Sequence, residues 1–294
     1  MNLANVLQLF ASGVTIGAVY ALVALGFVTI YRCSGIVNFA QGEFVMLGGL
    51  LTAYLLKTTA LPYPVAAVIA VLAIGLIGVL TYQLIIVPLG KAIIISLVMA
   101  TLGVSMLLQN SALICWGAYP LYLPSFSGDV PVRFGQVAIM SQSLWVLFMT
   151  AVVLVVLYLL GQRTLFGKSM TATATDPLAA SLVGISTGSM IRWSFAISAL
   201  VGAIAGIFVG PIVPMNFGVG AMFGLKGFVA AAVGGWGKSA GAVLGALVLG
   251  IIEAFSAGFL PAGYKDAIAF VVLLLILYYR PSGILGASLA AEGD

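Results

Sequence analysis

The sequence contains no histidine, only two cysteines and, through residue 31, no charged side chain at all. Without histidine the chain lacks the usual general base, the commonest metal ligand and any Ser–His pair. Two cysteines, Cys33 and Cys115, make no disulfide framework. Each ends an apolar segment, on opposite membrane faces in the topology below, and reads as an inert apolar filler. Charge is the scarcest commodity. Only 6% of the residues are charged and 63% are hydrophobic, against roughly 25% charged in soluble domains. Such a chain cannot cover itself with a wettable surface, so it is an integral membrane protein with lipid as its solvent. Its net charge of +4 therefore gives no reason to expect a nucleic-acid partner. An intramembrane aspartyl mechanism needs two carboxylates in one site. Asp129, Asp176 and Asp294 read as loop or tail residues and leave only Asp266 near a span end, which argues against an enzyme.

What is present is a series of long apolar runs. A membrane-crossing helix takes about 20 apolar residues. Residues 7–31, 64–87, 92–116, 143–160, 193–214, 240–260 and 266–279 qualify, and 44–56 is shorter but hard to place elsewhere. The expectation is an all-α polytopic bundle of about eight transmembrane helices. Arg32 follows the first apolar run, the reverse of a signal peptide's charge order, which predicts an uncleaved first span with its N-terminus outside. Arg32, Lys91 and the loop carrying Arg163, Lys168 and Arg192 then lie inside. The 117–142 loop, with Gly117, Pro120, Pro124, Gly128 and the pair Asp129 and Arg133, lies outside. Parity beyond the sixth span depends on whether 224–237 crosses, re-enters or stays at the surface.

Glycines recur at helix-packing spacing: Gly13 and Gly17; Gly202, Gly206 and Gly210; Gly237, Gly241 and Gly245. Small residues every fourth position let helix backbones approach closely where lipid offers no hydrophobic drive. Two glycine-bounded stretches, 35–43 and 224–237, follow apolar spans, hold one charge each and lead into another apolar run. Broken or re-entrant segments in corresponding halves point to a transport pathway on inverted repeats, against the alternative of ordinary turns.

Among charged residues at membrane depth, Glu43, Glu253 and Lys226 stand out, because burial in lipid is costly and selects for function. Glu253 could equally be a buried partner for a helix end or a lysine. Lys57, Lys91 and Arg280 sit at span ends and are expected to snorkel. Gly237-Lys238-Ser239 before a helix imitates a P-loop. The motif needs a glycine where Ala232 stands, and no acidic strand end is at hand for magnesium, so the chain is not expected to bind ATP itself.

Asp176-Pro177-Leu178-Ala179-Ala180-Ser181-Leu182-Val183-Gly184 reads as a short helix with both ends written in. Asp176 caps the N-terminus, Pro177 suits the first helical position and Gly184 closes the far end. Two turns cannot persist alone in water, so the segment predicts a docking partner.

Several of these stretches together resemble the permease subunits of branched-chain amino-acid ABC importers, of the LivH type. Gly17-Ala18-Val19-Tyr20-Ala21-Leu22 with Asn38-Phe39-Ala40-Gln41-Gly42-Glu43 is similar to the family's N-terminal signature. Lys226-Gly227-Phe228-Val229-Ala230-Ala231 through Gly234-Gly235 and Gly241-Ala242 is similar to its second. The ending from Tyr264-Lys265-Asp266 to Arg280-Pro281-Ser282-Gly283 fits as well.

The resemblance implies one permease domain over 1–294 with a cytoplasmic coupling loop at about 162–192. Asp176, Pro177, Leu178, Ala179, Ala180, Leu182 and Gly184 would contact the ATPase. Ala179, Ala180 and Gly184 match the importer pattern Glu-Ala-Ala, three residues, Gly; Leu178 replaces the glutamate, as is usual in this branch. Thr171 stands where relatives often carry arginine. Asn38, Phe39, Gln41, Glu43, Lys226, Gly227 and Phe228 would line or gate the pathway, with Glu253 a possible buried acid. The implied partners are a homologous permease in a homo- or heterodimer, two cytoplasmic ATPases holding ATP and magnesium, and an extracytoplasmic substrate-binding protein. No cofactor is expected on this chain itself. The location would be a bacterial inner membrane, with the N-terminus periplasmic. Similar permeases serve urea, short amides and aromatic acids. A stand-alone secondary carrier or channel, using Glu43 or Glu253 for ion coupling, is the alternative from another class.

Overall fold

A computed structural model of the chain describes residues 3–90, 92–128, 130–134, 137–259, 261, 265–280 and 282–285. Helices α1 (Leu3–Ser34), α2 (Gln41–Thr58) and α3 (Tyr63–Thr81) open the fold. Helix α3 runs through a π-helical turn (Tyr82–Ile86) into α4 (Val87–Leu89), where Pro88 offers no N–H to the carbonyl four residues back. Then come α5 (Ile94–Trp116), a hairpin of β1 (Pro131–Phe134) and β2 (Val137–Met140), and α6 (Ser141–Arg163). Helices α7 (Leu165–Thr175) and α8 (Pro177–Leu182) precede α9 (Thr187–Val209), α10 (Val219–Gly234), α11 (Ser239–Phe259) and α12 (Lys265–Tyr279).

Among the described residues six helices are long and apolar enough to cross a membrane: α1, α3 with its extension, α5, α6, α9 and α11. Helix α2, with 18 residues, spans about 27 Å at the usual rise. Helix α12 has 15 residues and α10 has 16. The count of eight is therefore not reached by length alone. The hairpin and α7 lie in loops where no regular structure was expected. Thr164 explains the start of α7, since its hydroxyl accepts from the Gly167 N–H at 3.0 Å.

Burial sorts these helices into a core and a rim. In α1, 83% of its most apolar window is buried, against 22% in α5 and 17% in α6. Helix α1 is thus the central post, and α5 and α6 stand at the rim. Tight crossings let α1 be enclosed. A Cβ on Gly13 would stand 2.7 Å from the Ile251 Cα, and one on Gly17 would stand 2.9 Å from the Leu247 Cα, so α1 and α11 touch backbone to backbone. Gly202 sits against the Phe44 Cβ, and Gly206 against the Val45 carbonyl, joining α9 to α2. Gly241 and Gly245 likewise join α11 to α10, at Gly234 and Ala230. Gly237, expected in that stripe, lies in the preceding turn with φ +87°.

The contacts repeat under an exchange of two halves. Helix α9 packs on α2 and α3 as α1 packs on α10 and α11. Helix α2 packs on α5 as α10 packs on α12, while α1 meets α9 and α2 meets α10. The pairs α1/α9, α2/α10, α3/α11 and α5/α12 thus stand as counterparts. Five segments of membrane length (α1, α2, α3, α5 and α6) precede α9, an odd number, which makes the second set inverted relative to the first.

The sidedness of the loops agrees with this order. Gln8 near the start of α1 exchanges two hydrogen bonds with the backbone of Ala138 in β2, at 2.8 and 3.0 Å. At the far end of α1, Arg32 Nη2 donates to Thr171 Oγ1 of α7 at 3.3 Å. The hairpin and the α7–α8 segment therefore lie at opposite ends of the central helix.

Candidate functional site

Helix α2 begins after a break held by Asn38. Its Oδ1 accepts from the Ala40 N–H at 3.1 Å, and its carbonyl accepts from the Gln41 N–H, also at 3.1 Å. The start of α10 repeats this device. Asn216 Oδ1 accepts from the Gly218 N–H at 2.9 Å, and its carbonyl accepts from the Val219 N–H at 3.2 Å. Asparagine is suited to such turns because its short side chain imitates a backbone carbonyl. The counterpart of Asn38-Phe39-Ala40-Gln41-Gly42 is thus Asn216-Phe217-Gly218-Val219-Gly220.

That pairing corrects the reading of 224–237 as the second break. Gly224, Lys226, Gly227 and Phe228 lie inside the continuous helix α10, which ends only at Gly234. Their glycines serve close approach instead of interruption: Gly224 lies beside Gly42, and Gly227 beside the Val23 side chain. Helix propensity is a weak prior that such packing overrides. The chain breaks between α9 and α10, and again at the end of the expected stretch, where Gly235 and Gly237 (φ +99° and +87°) separate α10 from α11.

The two helix starts meet. Gly42 sits against the Gly220 carbonyl, and Gly220 against the Glu43 carboxylate. Glu43 is 1% exposed and occupies the first turn of α2, where the helix dipole favours a negative group. Its Oε1 accepts from Ser105 Oγ of α5 at 3.0 Å. Gln41 is fully buried and ties three helices together. Its Nε2 donates to the Ser198 carbonyl at 3.1 Å, while Ser198 Oγ is within reach of both Gln41 Oε1 and the Gly26 carbonyl. Phe39 and Phe228, named from separate motifs, touch with ring centres 5.4 Å apart. Phe27 and Trp236 extend that aromatic cluster around Phe228.

Lys226 and Glu253 form a second centre. Lys226 Nζ lies 2.6 Å from Glu253 Oε1, and the Tyr20 hydroxyl donates to Glu253 Oε2 at 2.7 Å. The ammonium also lies 5.5 Å from the centre of the Tyr20 ring. All three side chains are buried, so the lysine partner considered for Glu253 is the arrangement found. Tyr20, Ser105, Ser198 and Asn216 belong to these centres and were not singled out as site residues from the sequence. Asn216-Phe217 followed by Gly220 was the one legible signal, since it matches the Asn38-Phe39 spacing.

The 176–184 segment folds as its sequence dictates. Asp176 Oδ1 accepts from the Leu178 and Ala179 N–H groups, both at 2.9 Å. At the other end the Ile185 N–H reaches the Ala180 carbonyl and the Gly184 N–H reaches the Ser181 carbonyl, with Gly184 at φ +86°. This is a Schellman closure, which needs a residue without Cβ strain at that point. Ala180 points inward and is buried, whereas Leu178, Leu182 and Val183 are 73%, 81% and 76% exposed. Arg163 and Lys168 are exposed as well. Thr171 turns toward Arg32 and is half-buried, so it braces α7 against α1. Tyr264 and Pro281 of the C-terminal motif lie outside the described residues, as do Lys91, Asp129 and Asp294.

The family model described as branched-chain amino acid transport system / permease component matches residues 9–277. The high-affinity branched-chain amino acid transport system permease protein LivH of Escherichia coli K12 is 31% identical over 302 residues, covering 95% of each chain. BraD of Pseudomonas aeruginosa, a permease protein of the same description, is 33% identical over 294 residues, again covering 95% of each. A probable branched-chain amino acid transport permease protein LivH of Methanocaldococcus jannaschii is 31% identical over 285 residues, covering 90% of this chain and 88% of that one. The match runs through both repeats and through the intervening α6–α8 segment. This chain belongs to the permease-component family of branched-chain amino acid transport systems.

Proposed function

We propose that this chain is the permease subunit of an ATP-driven importer for branched-chain amino acids. It supplies half of a translocation pathway and pairs with a homologous permease. Two ATPases bind ATP and magnesium on the cytoplasmic side, and a binding protein delivers substrate on the other. The membrane is a bacterial inner membrane, with the N-terminus outside and the Arg32 end of α1 inside, as basic residues prefer. The names of the relatives support the substrate class.

One observation carries the coupling role. Helix α8 is capped at both ends, yet among the described residues Leu178, Leu182 and Val183 remain largely exposed. A short helix with so much bare apolar surface is completed by a partner. The 162–192 loop is the coupling segment, and α7 transmits its movement to the end of α1 through Thr171 and Arg32. The inverted repeats then rock against each other at the Gly42–Gly220 junction, where Asn38, Gln41 and Glu43 fix the position of α2.

The test is co-purification of the permease with its ATPase, followed by ATP-dependent leucine uptake in proteoliposomes. Leu182→Ala is expected to weaken both, and Ala180→Asp to abolish both. Unchanged co-purification and uptake in these variants rejects the coupling assignment. Leucine uptake by the chain alone, with no ATPase present, rejects the importer.

A further inference from the structure

Helix α5 has two dissimilar faces. On one, Thr101 Oγ1 accepts from the Phe39 N–H at 3.3 Å and Ser105 Oγ donates to Glu43 Oε1 at 3.0 Å, so α5 is fastened to the start of α2. On the opposite face, at helical spacing, stand Met99, Gly103, Met106 and Asn110, all exposed. The exposed faces of α3 and α6 are of another kind. They carry Val68, Leu72 and Leu76 on one helix and Phe148, Val155 and Leu159 on the other. Most of these are side chains that lipid tails accept readily.

Two residues of the α5 face do not suit lipid. Glycine is among the poorest helix formers, and Gly13, Gly42 and Gly206 offset that by admitting a neighbouring backbone. Gly103 stands near the middle of α5 with nothing within 4 Å of where its side chain would begin. Within this chain the gap serves no contact. Asn110 is the second. It stands about 9 Å from the Trp116 end of a helix about 34 Å long, inside a hydrocarbon layer about 30 Å thick. Its Nδ2 donates back to the Met106 carbonyl at 2.7 Å, and its Oδ1 accepts from no described residue. An amide at that depth is costly unless a neighbouring helix or water bonds to it. Met99 and Met106 are flexible and adapt to the surface that meets them.

The occupant has to approach closely at Gly103, offer a hydrogen-bond donor and lie within the membrane. A lipid tail offers no donor, and a water-filled passage needs no glycine. A transmembrane helix meets all three requirements. We infer that the Met99–Gly103–Met106–Asn110 face of α5 is where the second permease of the assembly packs, one of its helices crossing at Gly103 and donating to Asn110 Oδ1. The inference rests on the importer reading above and deepens it, by locating the contact between the two permeases. It also sets that contact one helix width from the Asn38–Glu43 centre, because the other face of α5 holds α2. A shift of the partner at Gly103 reaches the junction of the repeats through Thr101 and Ser105.

The experiment uses the assembled transporter in proteoliposomes, in a Cys33→Ser and Cys115→Ser background. Nitroxide labels on Met99→Cys, Met106→Cys and Asn110→Cys are compared with labels on Leu72→Cys and Val155→Cys. The three α5 labels are expected to be about fivefold less accessible to oxygen, which concentrates in lipid, and to be shielded from a water-soluble nickel chelate as well. Gly103→Leu has room within its own chain. It is expected to leave the amount of this permease in the membrane unchanged and to cut co-purification of the second permease about fivefold, whereas Leu72→Phe should leave co-purification normal. Oxygen accessibility equal to that at Leu72 and Val155 means lipid on this face, and access by nickel means water. Either result overturns the contact, as does co-purification within twofold of normal in Gly103→Leu, and each leaves the importer reading standing. If no second permease accompanies the unmodified chain, both fall together.

Discussion

Gly42 and Gly220 face each other where the first turns of α2 and α10 meet, so closely that a Cβ on Gly42 would fall on the Gly220 carbonyl. Each belongs to an Asn-Phe-x-x-Gly segment, one per repeat, and each segment starts its helix by the same asparagine turn. The two inverted halves are therefore joined at equivalent points.

Overpacking at this junction has a predictable cost. Gly42→Ala should destabilise the protein by about 1–3 kcal/mol, read as a lower melting temperature of the purified permease. Gly103→Ala is the control. It lies in α5 with open space where its Cβ would go, and it should be neutral or slightly stabilising, because alanine is the better helix former.

Removing either asparagine turn should act alike. Asn38→Ala and Asn216→Ala are each expected to cost about 1 kcal/mol through the lost side-chain hydrogen bond of the turn. Thermal or denaturant unfolding checks this. An effect at Asn38 with none at Asn216 would contradict the equivalence of the two helix starts.

The ends of α8 make separable contributions. Asp176→Ala should lose about 1 kcal/mol of local helix stability, and Asp176→Ser should keep most of it. Gly184→Ala forces a side chain into the left-handed region at a cost of about 1–2 kcal/mol. Hydrogen exchange over 177–185 should accelerate in both weakened variants and remain normal in α9. In the proposed assembly, ATPase co-purification should fall with them.

The buried pair supplies a double-mutant cycle. Lys226→Met alone should destabilise by about 3–5 kcal/mol, since it strands Glu253, whereas the double neutral change should recover most of that loss. Melting temperatures of the four proteins in one detergent measure the coupling. Additive single effects would mean that the two groups are independent.

The comparison of sequence and structure is sharpest at the second repeat. Gly224, Gly227 and Gly234 suggested a broken segment, yet they lie within one helix, because each glycine makes room for a neighbour: Gly42, Val23 and Gly241. A glycine that permits close approach and one that interrupts a helix look the same along a chain. Asn216 was legible by its spacing to Phe217 and Gly220, but only the meeting of the two helix starts gives that spacing its meaning. Thr171, singled out as a departure from relatives, proves to contact Arg32 of its own chain.

By itself the sequence determined the membrane character, the apolar spans, the caps of α8 and the family, because hydropathy, capping chemistry and motif spacing act over short separations. Tertiary structure alone decided that Lys226 pairs with Glu253 and Tyr20 across three helices, that Gln41 binds α9, and that the repeats join at Gly42 and Gly220. These depend on which faces of distant helices come together, and in lipid that choice rests on the fit of backbones and the need to satisfy buried polar groups. No local pattern along the chain carries that information.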